Sequence, residues 1–366
     1  MDCKIVYLKP LSGFRTELRS DTLFNALCWA IRQAHGNERL EEVLAAYASG
    51  GDEAFYISSC FPYKSIFYCN TADEPKKKKS IKVPYFPAPL RMIKPAPIDQ
   101  KKKAGERLRE YRQRKKSKKT TYLPKHEFEQ RLGASNPIQP FGSVYRNAPK
   151  VEEHLITHNR ISRIKNSTLE LDAGGQLFHS PDHKFKIQSL HKTQKTFELL
   201  DDNKNEYEVL EQEAGLFFLV KGNFEVLEAP LRLLQHLGIG GDRNIGKGSF
   251  KISWEAFHLA EPEKPANAVC NLALYRPEIT HIQAIKGYEG PLLCYELVAR
   301  GGIRGGFMQK KYFKPKVDMI KEGAVLPILS SKSHYGENVT VGKDDREGHD
   351  LLQYGYGFMV NMYVPY

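Results

Sequence analysis

No apolar run in this 366-residue chain approaches the ~18 residues that a membrane-spanning helix needs, so no membrane partner is expected. The opening MDCKIVYLKP has no basic stretch followed by an apolar one, and a secretory leader is not expected either. Cysteine is sparse: Cys3, Cys28, Cys60, Cys69, Cys270 and Cys294. No two stand in C-x-x-C spacing, which removes zinc-ribbon and thioredoxin-type chemistry. They read as reduced thiols of a cytoplasmic protein, serving as small packing residues. No metal or other cofactor is expected.

The charge is uneven. The net value is +12, yet residues 91–125 hold 14 Lys and Arg against 3 Asp and Glu, a local +11. A basic balance points to a polyanionic partner and says nothing of fold. The densest part is KKKAGERLREYRQRKKSKK at 101–119, preceded by Pro87, Pro89, Pro95 and Pro97. Proline there favours extended chain. The run reads as a solvated arm, as a phosphate-contacting arm that orders on RNA, or as both.

At a prior of roughly 150 residues per domain the length suggests two domains. KIVYLKPL (4–11) reads as a strand. Leu23, Ala26, Leu27, Ala30, Ile31 and Ala34 then recur at helical spacing. Ser20 suits the N-cap, Asp21 the first turn and Gly36 the stop. A second helix is expected at about 38–48. Residues 51–200 read as irregular, with hairpins over 151–200. AGLFFLVKG (214–222) reads as a strand, and Pro230 as the first residue of a short helix stopped by Gly238. Phe250, Ile252 and Trp254 alternate with Lys251, Ser253 and Glu255, a half-buried strand. After 258 come strand signals in LALYRPEITHIQ, PLLCYELVARGG and GGFMQKKYFK. An aromatic strand ends the chain, with Gly355 and Gly357 suiting close approach by another backbone.

Between helix and strand lies Gly241-Asp-Arg-Asn-Ile-Gly246-Lys247-Gly248, close to G-x-x-x-x-G-K-[ST]. Gly248 stands where the magnesium-holding hydroxyl belongs, and the order helix, loop, strand is reversed; both argue against a nucleoside triphosphatase. Five glycines in the eleven residues 238–248, with Arg243 and Lys247 between them, still allow a main chain to approach phosphate. A plain flexible connection is the alternative.

Two of these motifs carry a family resemblance. Ser20-Asp-Thr-Leu-Phe-Asn-Ala-Leu-Cys-Trp-Ala30 and Gly238-Ile-Gly-Gly-Asp-Arg-Asn-Ile-Gly-Lys-Gly248 resemble the fourth Csm subunit of type III-A CRISPR complexes, of the RAMP superfamily. His158-Asn-Arg-Ile-Ser-Arg163, Glu296-Leu-Val-Ala-Arg300 and Lys321-Glu-Gly323 are weaker matches. Asn25 and Ala324 depart from the usual glycine and serine.

The resemblance implies an α+β fold of two ferredoxin-like (RRM-like) domains. The first would span 1–260, with an irregular, partly hairpin insertion at about 51–200. The second, degenerate, would span 265–366. It further implies a non-catalytic subunit that caps the 5′ repeat-derived tag of the crRNA and meets target RNA near the guide 5′ end. The large polymerase-like subunit and the backbone RAMP subunits would be its protein partners. Carried over by residue, RNA contacts fall on Arg15, Arg19, Ser20, Asn25, Arg160, Arg163, Gly238, Gly240, Gly241, Arg243, Lys247 and Gly248. For each arginine a solvated surface role is the competing reading. The rival function is a RAMP endoribonuclease with a histidine base, drawn from His35, His154, His158, His179, His183, His191 and His236, none of which sits in a recognised catalytic pattern. A general RNA-binding protein would account for the basic arm alone.

Overall fold

A computed structural model describes residues 1–49, 51–70, 78–90, 121–134, 147–159, 161–162, 167–168, 177–186, 207–288, 294–303, 313–329, 334–343 and 350–365. The basic run 101–119, Arg160 and Arg163 lie outside them.

The chain is a mixed α and β fold built on antiparallel sheets. β1 (Asp2–Pro10) leads to α1 (Ser20–His35) and α2 (Asn37–Ser49). β2 (Phe55–Ile57), β3 (Phe61–Asn70), β4 (Lys79–Pro87), β5 (Tyr122–Pro124) and α3 (Lys125–Leu132) follow. A projecting hairpin pairs β6 (Lys150–Asn159) with β9 (Leu177–Lys186), and a smaller one pairs β7 (Ile161–Ser162) with β8 (Ser167–Thr168). Then come β10 (Tyr207–Gly222), α4 (Glu225–Leu237) and β11 (Phe250–His258). The main sheet runs β11-β1-β10-β3-β4-β5, with β2 pairing the far end of β10. Every pairing is antiparallel.

Side-chain alternation gives the sheet two buried faces. Val6, Leu8, Phe218, Val220, Phe250 and Ile252 pack with α1, α2 and α4. Ile5, Phe61, Phe217 and Leu219 pack on the other side against the C-terminal half. That half has β12 (Ala268–Asn271), α5 (Ile279–Lys286), β13 (Leu297–Ile303), β14 (Phe313–Ile320), β15 (Val325–Pro327), β16 (Val339–Lys343), β17 (Asp350–Gln353) and β18 (Met359–Met362). Its sheet runs β15-β12-β18, and an isolated bridge from Cys294 to Val325 extends it.

Several expectations change. Helix α1 starts at Ser20 with Arg19 in the cap position and no side-chain cap bond. A cap is worth about 1 kcal/mol. Burying Leu23, Phe24, Leu27 and Ile31 supplies about 1.5–3 kcal/mol each, so packing fixes this helix. Phe24 replaces Ala34 on the buried face, and Ala34 is exposed. Pro230 lies inside α4, which begins at Glu225. Asn223 explains the earlier start: its Oδ1 accepts from the Glu225 and Val226 amides at 3.1 and 3.4 Å. Residues 55–70 and 79–87, expected to be irregular, are largely strands of the main sheet. The segment 279–282, expected as strand, opens α5. Residues 354–358 are not strand, yet a Cβ on Gly355 would come 2.3 Å from the Glu337 carbonyl, the close approach its sequence suggested.

Candidate nucleic-acid interface

The glycine segment is the turn from α4 into β11. Gly238, Gly240, Gly246 and Gly248 have φ of 75°, 96°, 82° and 69°. These values lie where L side chains are disfavoured. Gly248 is the most constrained, since a Cβ there would sit 2.1 Å from the Ile239 carbonyl. Asp242 shares the left-handed region at φ 58°. It accepts from the Ile245 and Lys247 amides through its backbone carbonyl, each at 3.2 Å. The tip, Arg243–Ile245, is a short 3-10 turn.

The loop is braced by the segment that precedes α1. Gly248 N–H donates to the Gly13 carbonyl at 2.9 Å, and Leu11 N–H to that of Ser249 at 2.8 Å. Gly241 N–H donates to Thr16 Oγ1 at 3.0 Å, and Ser249 N–H to Ser12 Oγ at 3.0 Å. A Cβ on Gly240 would lie 3.3 Å from Thr16 and 3.7 Å from Leu18. Arg15 pairs with Asp242 at 2.8 Å. The glycine turn and residues 11–18 therefore form one surface.

The projecting hairpin joins that surface. Phe14 and His183 exchange backbone bonds at 3.2 and 2.8 Å. Asp182, almost fully buried, faces Lys247 at 3.0 Å and Lys184 at 3.3 Å. Burial opposes its charge, but the two lysines outweigh it and hold its carboxyl below the usual value. A Cβ on Gly13 would collide with that carboxylate.

The candidate residues thus separate. Arg15, Gly238, Gly240, Gly241, Arg243, Lys247 and Gly248 share the braced turn. Among them Arg243 is exposed and makes no ion pair with a described residue. Lys247 is already partnered by Asp182. Ser20 is corrected: it is fully buried, its amide donates to Ser59 Oγ at 3.0 Å and its own Oγ accepts from the Leu274 amide at 2.9 Å, so neither group faces solvent. Arg19 is mostly buried between Glu17 at 2.9 Å and Glu322 at 3.8 Å. Burial works against its charge, yet the two glutamates hold its pKa above the usual value. It braces the two halves. Asn25 is half-buried on α1 and is not joined to the turn by any described hydrogen bond.

Sequence reasoning missed Thr16, Asp242 and Asp182. The first two lay beside the named residues. Nothing in the local sequence marks Asp182, whose partner is 65 positions away. It also missed that the weaker motifs meet. Arg300 donates Nε and Nη2 to the two oxygens of Asp21 at 2.9 and 3.0 Å, and Gln353 adds a bond at 2.9 Å. Glu322 meets Ser59 and Arg19. Among the described residues no cluster of three His, Cys, Asp or Glu could hold a metal. No helix there is long and apolar enough to cross a membrane.

Residues 264–362 match the family of the CRISPR Csm4 C-terminal domain. The chain is similar to Csm4. It is 24% identical over 366 residues to the CRISPR system Cms protein Csm4 of Thermococcus onnurineus (strain NA1), covering 98% of this chain and 96% of that protein. Its fold is also similar to a chain in the crystal structure of the Csm1–Csm4 cassette in complex with cA4, with a TM-score of 0.54, 19% identity and full coverage of both chains. A chain in the Csm3–Csm4 subcomplex of the type III-A CRISPR-Cas interference complex matches with a TM-score of 0.52 and 16% identity, over 99% of this chain and 100% of that one. The C-terminal Csm4 match contains Arg300, Lys321-Glu322-Gly323 and Gln353, three of which — Arg300, Glu322 and Gln353 — reach α1 or the residue that caps it.

Proposed function

We propose that this chain is a Csm4-type subunit of a type III-A CRISPR complex, a non-catalytic RNA-binding protein that caps the 5′ repeat-derived tag of the crRNA. It docks a large polymerase-like subunit and a backbone RAMP subunit, and it lies beside target RNA near the guide 5′ end. The observation that carries the reading is the braced glycine turn. Its main chain is open at Gly246, where a Cβ would meet nothing within 4 Å. Arg243 stands exposed at its tip. Backbone access with adjacent cations is how a chain holds phosphate without reading sequence. Relatives whose names place them with Csm1 and Csm3 support the protein partners.

Both halves read as ferredoxin-like. The order β11-β1-β10-β3 with α1 and α4 as crossovers has the 4-1-3-2 pattern of a βαββαβ unit. The bridge at Cys294, with β15, β12 and β18, supports the same order in a second unit whose described residues hold one helix.

Changing Arg243 and Lys247 together to alanine tests the function. Affinity for tag-bearing RNA falls and its salt dependence flattens, while the RNA stays uncut. Unchanged binding removes the turn from the site. Cutting that a single histidine substitution abolishes replaces the cap with an endoribonuclease.

A further inference from the structure

The C-terminal half covers only part of the main sheet. Ile5, Phe61, Phe217 and Leu219 lie beneath it; Tyr7, Tyr63 and Ser65 are buried as well, but the Lys9 and Glu213 side chains on the same face reach solvent. Beyond Tyr7 the same face carries Lys9, Glu213, Lys251, Ser253 and Glu255, with Ser65 and Lys82 across the sheet. Lys251, Ser253 and Glu255 are exposed. A Cβ on Gly215 would lie 2.5 Å from the Tyr63 ring, so the glycine lets that ring lie across β10. Tyr63 meets Tyr7 edge-on, with ring centres 4.9 Å apart. Lys82 Nζ stands 4.0 Å above the Tyr7 ring.

Lys9 and Lys251 are direct partners in the β1–β11 register. Like charges directly opposite one another across strands, with Cβ atoms about 4.5–5.5 Å apart, weaken a sheet. Glu213 balances Lys9 at 2.6 Å. Lys251 has no ion pair with a described residue, so among the described residues one charge at this rung is uncompensated. Lys82 adds a second, held over an aromatic face and, among the described residues, not by a carboxylate. The rung is three residues from Gly248, about 10 Å along the strand. An unfavourable cation pair on an open face, next to a main-chain phosphate turn, is a feature a polyanion would make favourable.

We propose that this open half-face, from the Lys9–Lys251 rung to Lys82, is a second phosphate-binding track for single-stranded RNA, continuous with the glycine turn. It rests on the RNA-binding reading above and extends it by a distinct set of residues. Lys251→Glu is the informative variant. An acidic residue opposite Lys9 makes a favourable cross-strand pair. A purely structural role therefore leaves RNA affinity unchanged while the melting temperature holds or rises.

Anisotropy titrations of the full chain with tag-bearing single-stranded RNA, over a series of salt concentrations, decide the matter. The expected result for Lys251→Glu is affinity about tenfold weaker at low salt, a slope of log K against log salt shallower by about 0.7 for each phosphate no longer neutralised, and no fall in thermal stability. Lys82→Ala should move both RNA quantities in the same direction. Weakened binding on changing Arg243 and Lys247, with no effect of Lys251→Glu or Lys82→Ala, overturns the track and leaves the turn in place. No effect from any of them overturns both. A change in copurifying protein with RNA affinity intact makes the face a protein interface and also overturns the track.

Discussion

Asp21 stands in the first turn of α1, where a carboxylate complements the helix dipole. Its main partners lie far away in sequence: Arg300 binds it through two nitrogens and Gln353 through one. Asp21 is almost fully buried and Arg300 largely so. Removing one member of such a pair leaves an uncompensated buried charge, which costs about 3–5 kcal/mol. Arg300→Met is expected to lower stability by about 3 kcal/mol, read from urea denaturation. Asp182 supplies a pH test. Its folded pKa is depressed, so the contribution it makes is complete above the unfolded value, near 3.9, and is lost as pH falls through the folded value. The stability gap between the native protein and Asp182→Asn should be widest near neutral pH and close in acid. A gap that stays constant across that range would show that the carboxylate charge is not what docks the hairpin. The sequence placed Arg243 and Lys247 correctly on one turn, because neighbours in sequence stay neighbours. It did not foresee the burial of Ser20 and Arg19, because their partners Leu274 and Glu322 are distant positions that no local spacing reveals.

The glycine turn contains two kinds of glycine. Gly248 and Gly246 both have positive φ, but Gly248 faces the Ile239 carbonyl and Gly246 faces open space. Gly246→Ala is expected to cost about 1–2 kcal/mol, the backbone penalty alone. Gly248→Ala should cost clearly more, because the Cβ also forces Ile239 away and breaks the 2.8 Å bond between them. Thermal melts of the two variants make the comparison, and equal losses would contradict it. Elements with one buried face were legible. The alternation in β11 and the periodicity of α1 each record a single boundary between core and solvent. β3 and β4 were not, because both of their faces are covered in places and prolines interrupt them. Tyr63 pairs with Pro84 inside the sheet, and Pro62 with Leu216. A proline-rich segment reads as loop by composition while tertiary pairing holds it as strand.

At the scale of the molecule, both halves contribute to the cores on either side of the main sheet. Ile5 and Phe217 of the main sheet pack with Cys270 and Val360 of the C-terminal sheet, while Tyr354 and Tyr356 reach the helical side beside Phe24 and Tyr47. The motifs that resembled a family were scattered along the chain, and the fold gathers most of them around the start of α1. Some form the bracing between halves and others form the turn that faces solvent. The central claim is that this turn meets the 5′ end of a guide RNA. A photo-crosslinking amino acid at Asn244, on the exposed tip between Arg243 and Ile245, tests it directly in the assembled complex, with the linked nucleotide located by primer extension. The account expects links confined to the 5′ repeat-derived tag. Links within the guide's 3′ portion, or to protein alone, would contradict it.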